Sequence, residues 1–441
     1  MPREMKETGI EWIGEVPKDW DIVRLKHLIK NRQGGVWGDD EDLIDRTNNR
    51  VCIRIADFDF DNMTISKEKK FTVRNYTKKD ILRCSLEKGD ILLEKSGGGE
   101  KTPVGRTVIW NEDFEALYAN FIERLRVNTN TTIPMYLQYC LYSFYKKGGS
   151  RLFFNQTTGL QNMDMNKLMN LLYLPTPNID EQKKIADLLD KKCQEIEEIK
   201  ETIETEIKTL DEYKKSIITE AVTKGLDKDA EMKDSGIEWI GQIPKYWSVI
   251  KGKYIFAQRN ERGNNINLEQ LSPTQEFGVI PQTLYEELSG MRAVKLNEKT
   301  DLNILKTIHK GDFCISLRSF QGGFEYSEYE GVVSPAYQVF YNIVEVCNTY
   351  YKYLFKEKSF IDKMNSYTMS LRDGKNISFN DFGKTKIPLP PINEQKAIAE
   401  YLDHKTSAIN EAIDGKRAQL LAIDEYRKSL IYEYVTGKKE A

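Results

Sequence analysis

Apolar residues recur every three or four positions along two segments of the chain, and this spacing predicts two long helices. In residues 179–222, heptad position a falls on Leu189, Ile196, Ile203, Leu210 and Ile217, and position d on Ile185, Ile199 and Tyr213. In the segment that begins at residue 392, position a falls on Leu402, Ile409, Ile423 and Leu430, and position d on Ile398, Ala412 and Tyr426. Such a stripe is typical of a coiled-coil seam, so each helix needs a partner that covers it.

The chain itself can supply that partner, because it contains an internal sequence repeat. Residues 4–14 return with few changes at 231–241, and each copy runs on to a Pro-Lys-x-Trp sequence that ends at Trp20 or Trp247. The starts of the two helical segments, 179–186 and 392–399, are a second repeat. We therefore predict that the two helices pair with each other, antiparallel if a pseudo-two-fold axis relates the copies.

The stretches between these repeats differ from each other and contain short alternating runs that predict strands, followed by helical patterns. A Lys-Gly-Asp turn before a strand, at 88–90 and again at 310–312, indicates that both stretches share one fold. The predicted class is α+β, with two mixed α/β regions separated by two long paired helices. The predicted segments are a repeat strap (1–20), a first variable region (21–177), a central helix (178–225), a linker and second strap (226–247), a second variable region (248–391) and a C-terminal helix (392–441).

Composition narrows the possible partners and location. No apolar run of the 441 residues approaches the 18 that a membrane span needs, and the charged start MPREMKETG lacks the features of a secretory signal, so we expect a cytoplasmic protein. Six cysteines form no Cys-x-x-Cys pair, which favours reduced thiols over disulfides or zinc. The net charge of −3 hides a segregation. Residues 21–174 carry 24 basic and 20 acidic side chains, whereas the helical stretch 180–225 carries 9 and 13. This pattern suits contact with nucleic-acid phosphates through the variable regions alone.

Two glycine-rich or polar loops of the first variable region are candidates for that contact. The sequence 95–102 lacks the glycines of a nucleotide-binding loop at the required positions, but a flexible loop flanked by lysines could approach a DNA backbone. A second loop, 148–162, is rich in Asn, Gln and Thr, whose amides can pair with adenine, while Arg and Lys pair with guanine. The candidate DNA-binding residues are Lys95, Ser96, Gly97, Lys101, Arg106, Arg151, Asn155, Gln156, Thr157, Thr158, Gln161 and Asn162.

The second variable region offers comparable residues at comparable places. These candidates are Arg318, Ser319, Gln321, Arg372, Lys375 and Asn376. Ordinary polar surface loops would have the same composition, so both interpretations stay open. The repeated straps have two interpretations as well: a packing strap anchored by tryptophan, which we favour, or a docking patch for a partner protein.

The sequence does not predict a catalytic site in this chain. No acidic pair followed by lysine sits convincingly on neighbouring strands as in a nuclease, and the glycine loop and Asn-Pro-Pro-Tyr-like tetrapeptide of a methyltransferase are missing. We therefore assign no catalytic residues and no metal ligands.

Taken together, these repeats resemble the specificity subunits of type I restriction-modification enzymes over essentially the whole chain. The matching signatures are Gly-Ile-Glu-Trp-Ile-Gly with Pro-Lys-x-Trp, and the proline-rich approach to Glu-Gln-Lys at 174–186 and 387–399. The resemblance implies two target-recognition domains that read a bipartite double-stranded DNA site. It also implies as partners two modification subunits with S-adenosylmethionine and restriction or translocase subunits that use ATP and Mg²⁺. No cofactor is expected on this chain.

Two other functions remain as alternatives. The chain could be a non-catalytic coiled-coil adaptor that binds proteins and no DNA. It could also be a self-contained nuclease or methyltransferase with its site in the variable regions. Since half-sites on one face of DNA recur roughly every 34–36 Å, rods of roughly 60 Å could hold two readers a turn or more apart. This geometry agrees with the DNA-reading subunit, which we prefer mainly because of the resemblance to specificity subunits.

Overall fold

The computed structural model describes residues 3–66, 70–157, 159–262, 268–291, 304–315, 323–367 and 377–441. It divides into two compact units: unit 1 is Met1–Ile203 with Ala418–Ala441, and unit 2 is Glu204–Arg417. Each unit thus contains part of both long helices. Within the described residues, no helix is both long enough and apolar enough to span a membrane.

Unit 1 is a mixed α/β structure. Its strands are β1 (Met5–Glu7), β2 (Glu15–Pro17), β3 (Asp21–Arg24), β4 (Ile29–Gly34), β5 (Asp39–Asp40), β6 (Asn49–Ile53), β7 (Phe58–Asp59), β8 (Thr64–Ile65), β9 (Thr72–Asn75), β10 (Asp90–Glu94), β11 (Ser96–Gly97), β12 (Thr107–Trp110), β13 (Ala116–Tyr118), β14 (Ile122–Val127), β15 (Phe154–Thr157), β16 (Leu160–Met163) and β17 (Tyr173–Thr176). Its helices are α1 (Leu25–Leu28), α2 (Lys78–Cys84), α3 (Pro134–Lys146), α4 (Met165–Leu171) and the first part of α5 (Ile179–Lys224).

One antiparallel sheet, with strand order β12-β10-β14-β4, supports the core of unit 1. Helix α3 packs against it and is buried over most of its length, with Tyr136, Leu137 and Leu141 in the main apolar cluster. A second sheet has the order β13-β6-β9-β5, and a third has the order β11-β16-β15. The third sheet contains residues of both candidate loops of the first variable region.

Unit 2 repeats this plan with fewer described strands. Its strands are β18 (Met232–Asp234), β19 (Gln242–Pro244), β20 (Ser248–Lys251), β21 (Phe256–Arg259), β22 (Leu271–Thr274), β23 (Gly278–Pro281), β24 (Lys306–Ile308), β25 (Phe313–Ile315), β26 (Phe324–Tyr326), β27 (Gly331–Val333), β28 (Gln338–Asn342) and β29 (Lys386–Leu389). Its helices are α6 (Gln282–Ser289), α7 (Asn348–Leu354), α8 (Lys358–Ser366), α9 (Phe379–Lys384) and the first part of α10 (Ile392–Val435). The last part of α5 also belongs to unit 2, and the last part of α10 to unit 1. The main described sheet, β21-β28-β25-β26, encloses a cluster of phenylalanines centred on Phe256, Phe313 and Phe340.

The turn shared by the two variable regions has the same structure in both units. Gly89 and Gly311 both have positive φ, at 87° and 95°, a conformation that favours glycine. The buried Asp90 accepts a hydrogen bond from the Glu87 backbone N–H at 2.8 Å, and Asp312 accepts one from the His309 N–H at 3.0 Å. The predicted likeness of the two regions is therefore confirmed at this turn, despite their different sequences.

Both long helices are confirmed, and they run antiparallel where they pair. In unit 1, Lys200 lies 3.1 Å from Asp424 and Arg427 lies 3.8 Å from Glu197. In unit 2, Lys214 donates to Asn410 at 2.9 Å and Lys416 contacts Glu206. Residue numbers fall along one helix as they rise along the other in each unit.

The residues predicted at position a, together with the first d residue of each helix, lie on the covered side of the pair. Leu189, Ile196, Ile203, Ile217, Leu402, Ile409 and Leu430 are buried, as are Ile185 and Ile398. Leu210 and Ile423 are partly buried against neighbouring apolar clusters.

The other residues predicted at position d are wrong, because the covered residue lies one position later in each heptad. Ile199, Tyr213, Ala412 and Tyr426 are exposed. The second covered column instead contains Cys193, Lys200, Ile207, Lys214, Ile413 and Arg427, each one residue later in the heptad. Lysine and arginine can bury their alkyl stems while their charged ends reach an acid on the opposite helix. Because the prediction followed apolar residue types, it passed over these cations.

This corrected register predicts that replacing isoleucine by alanine lowers the free energy of unfolding much more at position 203 than at position 199. Ile203→Ala is expected to lower the free energy of unfolding by about 2–4 kcal/mol, because Ile203 is buried in the helix pair. Ile199→Ala is expected to change it by less than about 0.5 kcal/mol, because Ile199 is half exposed. Chemical denaturation of the two variants measures the difference. Equal losses would contradict the register.

Candidate nucleic-acid interface

The two candidate loops of the first variable region meet in one small sheet. Strand β11 pairs with β16, so that Ser96 lies opposite Asn162, and β16 pairs with β15, so that Asn162 also lies opposite Asn155. We call β11, β15 and β16 together the recognition sheet. The sequence predicted the two loops separately, and the structure brings them together across more than 60 residues of chain.

One face of the recognition sheet is open and polar. Residues that lie opposite each other on neighbouring strands point to the same face, so Ser96, Asn162 and Asn155 form a row. Asn155 and Asn162 are exposed, and the Ser96 hydroxyl donates to the Asn162 amide oxygen at 2.8 Å. Gln156 of the edge strand is also exposed, but it lies opposite Gln161 and therefore points to the other face.

The opposite face is packed along β16. Gln161 is buried, and its amide oxygen accepts from the Val104 backbone N–H at 3.1 Å, so this candidate supports the sheet from below. Gly105 has a φ of 108°, and a Cβ there would lie 2.7 Å from the methyl carbon of Met163. Only glycine therefore lets the 98–105 loop pack this closely against β16.

Two candidate cations are held by buried acids. Lys95 contacts Glu123 at 3.0 Å, and Arg32 contacts the same carboxylate at 3.1 Å. Arg106 donates two hydrogen bonds to the buried Glu94, at 2.8 and 3.0 Å. A DNA phosphate would therefore compete with Glu123 for Lys95 and with Glu94 for Arg106.

The other cationic candidates border a cleft of about 1170 Å³ beside the recognition sheet. Lys101 and Arg151 are exposed at its lining, and Phe60 lies beneath the Arg106 guanidinium, 3.7 Å from ring centroid to carbon. Burial lowers the pKa of the Lys146 ammonium in the same lining. The cleft also contains Asp59 and Asp61 and is therefore mixed in charge.

Several neighbours of the recognition sheet were missed in the sequence. Phe121 is 46% exposed, and its carbonyl oxygen accepts from the backbone N–H groups of Lys95 and Ser96. Lys146 and Lys147 end α3 at the cleft, and the Lys147 ammonium lies 4.2 Å from the Tyr432 ring centroid. The paired lysines before Gly148 were a usable signal, whereas nothing in the sequence marked Phe121.

Two further candidates lie in the recognition sheet, Gly97 in β11 and Thr157 in β15, and the others cannot be placed. Thr158 and all six candidates of the second variable region, Arg318, Ser319, Gln321, Arg372, Lys375 and Asn376, lie outside the described residues.

The repeated straps form the same clamp in both units. The buried Trp20 donates its indole N–H to Glu181 at 3.1 Å, and Trp247 donates to Glu394 at 2.8 Å. Each Glu stands in the first turn of a long helix, so the clamp fixes the strap to the start of that helix. This is the structural role that the packing-strap interpretation requires.

The glutamine that follows each of these Glu residues explains the rest of the repeated motif. Gln182 accepts from the Ile133 N–H at 2.9 Å and donates to the Pro177 carbonyl at 2.9 Å. Gln395 accepts from the Cys347 N–H at 2.8 Å and donates to the Pro390 carbonyl at 2.8 Å. Each amide thus ties the helix start to the variable region of its own unit.

The architecture of two variable α/β regions joined to paired long helices agrees with comparison to known proteins. The family model described as the type I restriction modification DNA specificity domain matches residues 17–209 and 250–422. The chain therefore belongs to the type I restriction-modification DNA specificity family, and its function is that of a DNA sequence-specificity subunit.

Relatives and solved structures are similar over nearly the full length. The putative type I restriction enzyme MjaX specificity subunit of Methanocaldococcus jannaschii is 26% identical over 431 residues, which cover 97% of this chain and 95% of that protein. The MjaVIII specificity subunit of the same organism is 25% identical, with coverage of 96% and 93%. The HsdS subunit from Thermoanaerobacter tengcongensis has the same fold at a TM-score of 0.54 and 15% identity, covering 96% of this chain and 98% of that one. A chain from a structural study of assembly and conformational transition in the type I R-M system gives a TM-score of 0.69 at 13% identity, covering 96% and 99%.

Proposed function

We propose that this chain reads an asymmetric bipartite site in double-stranded DNA, with one half-site for each variable region. The observation that carries the proposal is the recognition sheet of unit 1, where two polar loops distant in sequence form one exposed face beside a cleft with several cations. An asymmetric target is expected because the two variable regions differ in sequence while their supporting turn and clamp are alike.

The partners and cofactors are part of the same proposal. Two copies of the clamp offer two equivalent platforms, which supports the docking of two methyltransferase subunits. The adenine-methylating S-adenosylmethionine site then belongs to those subunits, and ATP and Mg²⁺ belong to restriction or translocase subunits. In this arrangement the chain itself performs no catalysis.

The length of the paired helices would set the spacer between the half-sites. Helix α5 has 46 residues, which corresponds to roughly 69 Å at about 1.5 Å per residue. Counted along the antiparallel pair from the contact of Lys214 with Asn410, residues 207–213 of α5 face residues 411–417 of α10. Deleting both heptads together would keep the register of the pair.

We expect this double deletion to shorten the spacer of the recognised site by about three base pairs, because about 10 Å of helix is removed. Both half-site sequences should stay unchanged. The measurement is genome-wide mapping of methylated adenines in cells that produce the chain with its methyltransferase partner.

A full-length variant with alanine at the exposed positions Lys208, Thr209 and Glu212 controls for altered helix surface and should keep the original spacer. An unchanged spacer after the double deletion would refute the role of the helices as a ruler. If the intact chain directed no bipartite motif at all, the adaptor alternative without DNA binding would replace the proposal.

A further inference from the structure

We propose that the Asn155 and Asn162 amides read an adenine–thymine base pair from the major groove in the half-site of unit 1, with Ser96 as a positioning residue. This inference rests on the proposed function, because it assumes that the recognition sheet meets DNA. It adds the identity of a base pair and the atoms that select it.

The shape of the recognition sheet suits the major groove. A two-stranded β-ribbon fits into a groove about 12 Å wide, and β15 and β16 form such a ribbon with β15 at the edge of the sheet. Asn155 and Asn162 are directly opposite each other on it and both are exposed. Because Gln161 and Met163 pack the other side of β16, the side that carries Asn162 is the one that can approach base edges.

The chemistry of the row matches adenine. Adenine presents the N7 acceptor and the N6 amino donor in the major groove, and an asparagine amide meets both with its own donor and acceptor. Among the described residues, no side chain or backbone group hydrogen-bonds to the amide nitrogen of Asn162 or to the amide of Asn155. Both side chains therefore have donors available for a base.

Ser96 determines which end of the Asn162 amide is free. Its hydroxyl donates to the amide oxygen at 2.8 Å, which holds the oxygen on the β11 side and uses one of its two lone pairs. The second lone pair and the amide nitrogen remain for adenine. A fixed amide accepts adenine in one orientation, so Ser96 should influence on which strand the adenine is read.

Apolar residues next to the row suit the thymine of the same base pair. Leu160 is 42% exposed and lies two residues before Asn162, on the same face of β16. The exposed Phe121 borders Ser96 through its carbonyl oxygen. Thymine differs from cytosine in the major groove by its methyl group, which apolar side chains recognise.

The test is an isosteric change, Asn162→Asp, and the same change at Asn155, in the full chain produced with its methyltransferase partner in cells without other adenine methylation. Aspartate keeps the acceptors and loses the donors, so it favours the cytosine amino group over adenine. We expect methylation at wild-type sites to fall by about 5- to 150-fold. One position of one half-site should change, and the other half-site should not.

Asn130→Asp, in the exposed turn before α3, is the matched control and should leave the motif unchanged. Ser96→Ala should keep the base pair but relax the preference for one strand. An unaltered motif at full methylation in both asparagine variants would overturn the inference.

If methylation is lost altogether, binding to duplexes with and without the wild-type motif decides the question. A lost preference with unchanged binding to unrelated DNA supports the inference, whereas equal loss on both duplexes overturns it. Failure of the proposed function looks different, because the wild-type chain would then direct no bipartite motif.

Discussion

Replacing Trp20 by alanine is expected to lower the free energy of unfolding of unit 1 by about 3–5 kcal/mol. The indole is 1% exposed, and its N–H donates to Glu181 at the start of α5. A Cβ on Gly437 would lie 3.0 Å from the same ring, so the turn that follows α10 also packs on it. The substitution leaves a cavity where a strap and both long helices meet. Chemical denaturation followed by circular dichroism measures the loss.

Matched variants separate the volume of the indole from its hydrogen bond. Trp20→Phe keeps most of the ring and removes the N–H, so we expect a loss of about 1–2 kcal/mol. Trp247→Ala makes the equivalent change in unit 2, where the N–H donates to Glu394, and should cost as much as Trp20→Ala. Trp37→Ala, at a tryptophan that is 40% exposed, should cost under about 1 kcal/mol. If Trp20→Ala lowered the free energy of unfolding no more than Trp37→Ala, the clamp would not contribute to the stability of unit 1.

The long helices could be predicted because their information is local and repeated. A period of three and four residues over about five heptads survives occasional polar interruptions, so α5 and α10 were expected within a few residues of their observed bounds. The break between α7 and α8 is not visible in the spacing of apolar residues. There, Glu357 accepts from the Phe360 N–H and begins a new helix, a local choice that apolar spacing does not reveal.

The second column of the helix pair shows where residue type misleads. Tyr426 is apolar enough to suggest a covered position, yet it is exposed, while its neighbour Arg427 is buried between the helices. The buried guanidinium faces Glu197 of the opposite helix. Charge complementarity across a helix pair depends on register, and register is not visible in either helix alone.

The recognition sheet shows a similar limit for strands. Composition marked Gln161 and Asn162 equally as base readers, but neighbours in a strand point to opposite faces. One of them supports the 98–105 loop and the other faces outward. Which one is outward depends on the pairing of β16 with β11, a contact 66 residues apart in sequence. Sequence could therefore indicate the chemistry of the site and not its orientation.

Asp90→Ala is the second substitution expected to be severe, with a loss of about 3–5 kcal/mol in the free energy of unfolding of unit 1. Asp90 is 2% exposed and accepts two hydrogen bonds from Arg126, at 2.9 and 2.8 Å. It also accepts from the Glu87 N–H and so closes the turn before β10. Without the carboxylate, a half-buried guanidinium and a backbone donor both lose an acceptor.

An exposed ion pair of the same unit provides the control for this prediction. Asp113 pairs with Lys88 at the surface, so Asp113→Ala should cost at most about 1 kcal/mol. In unit 2, Asp312 makes the same two bonds to Arg259 and closes the same turn, and Asp312→Ala should resemble Asp90→Ala. Thermal and chemical unfolding of the three variants tests the comparison. Similar small losses in all three would show that the shared turn is not a supporting element of the variable regions. A large loss confined to the two buried positions would show why a Lys-Gly-Asp turn recurs in regions that otherwise differ.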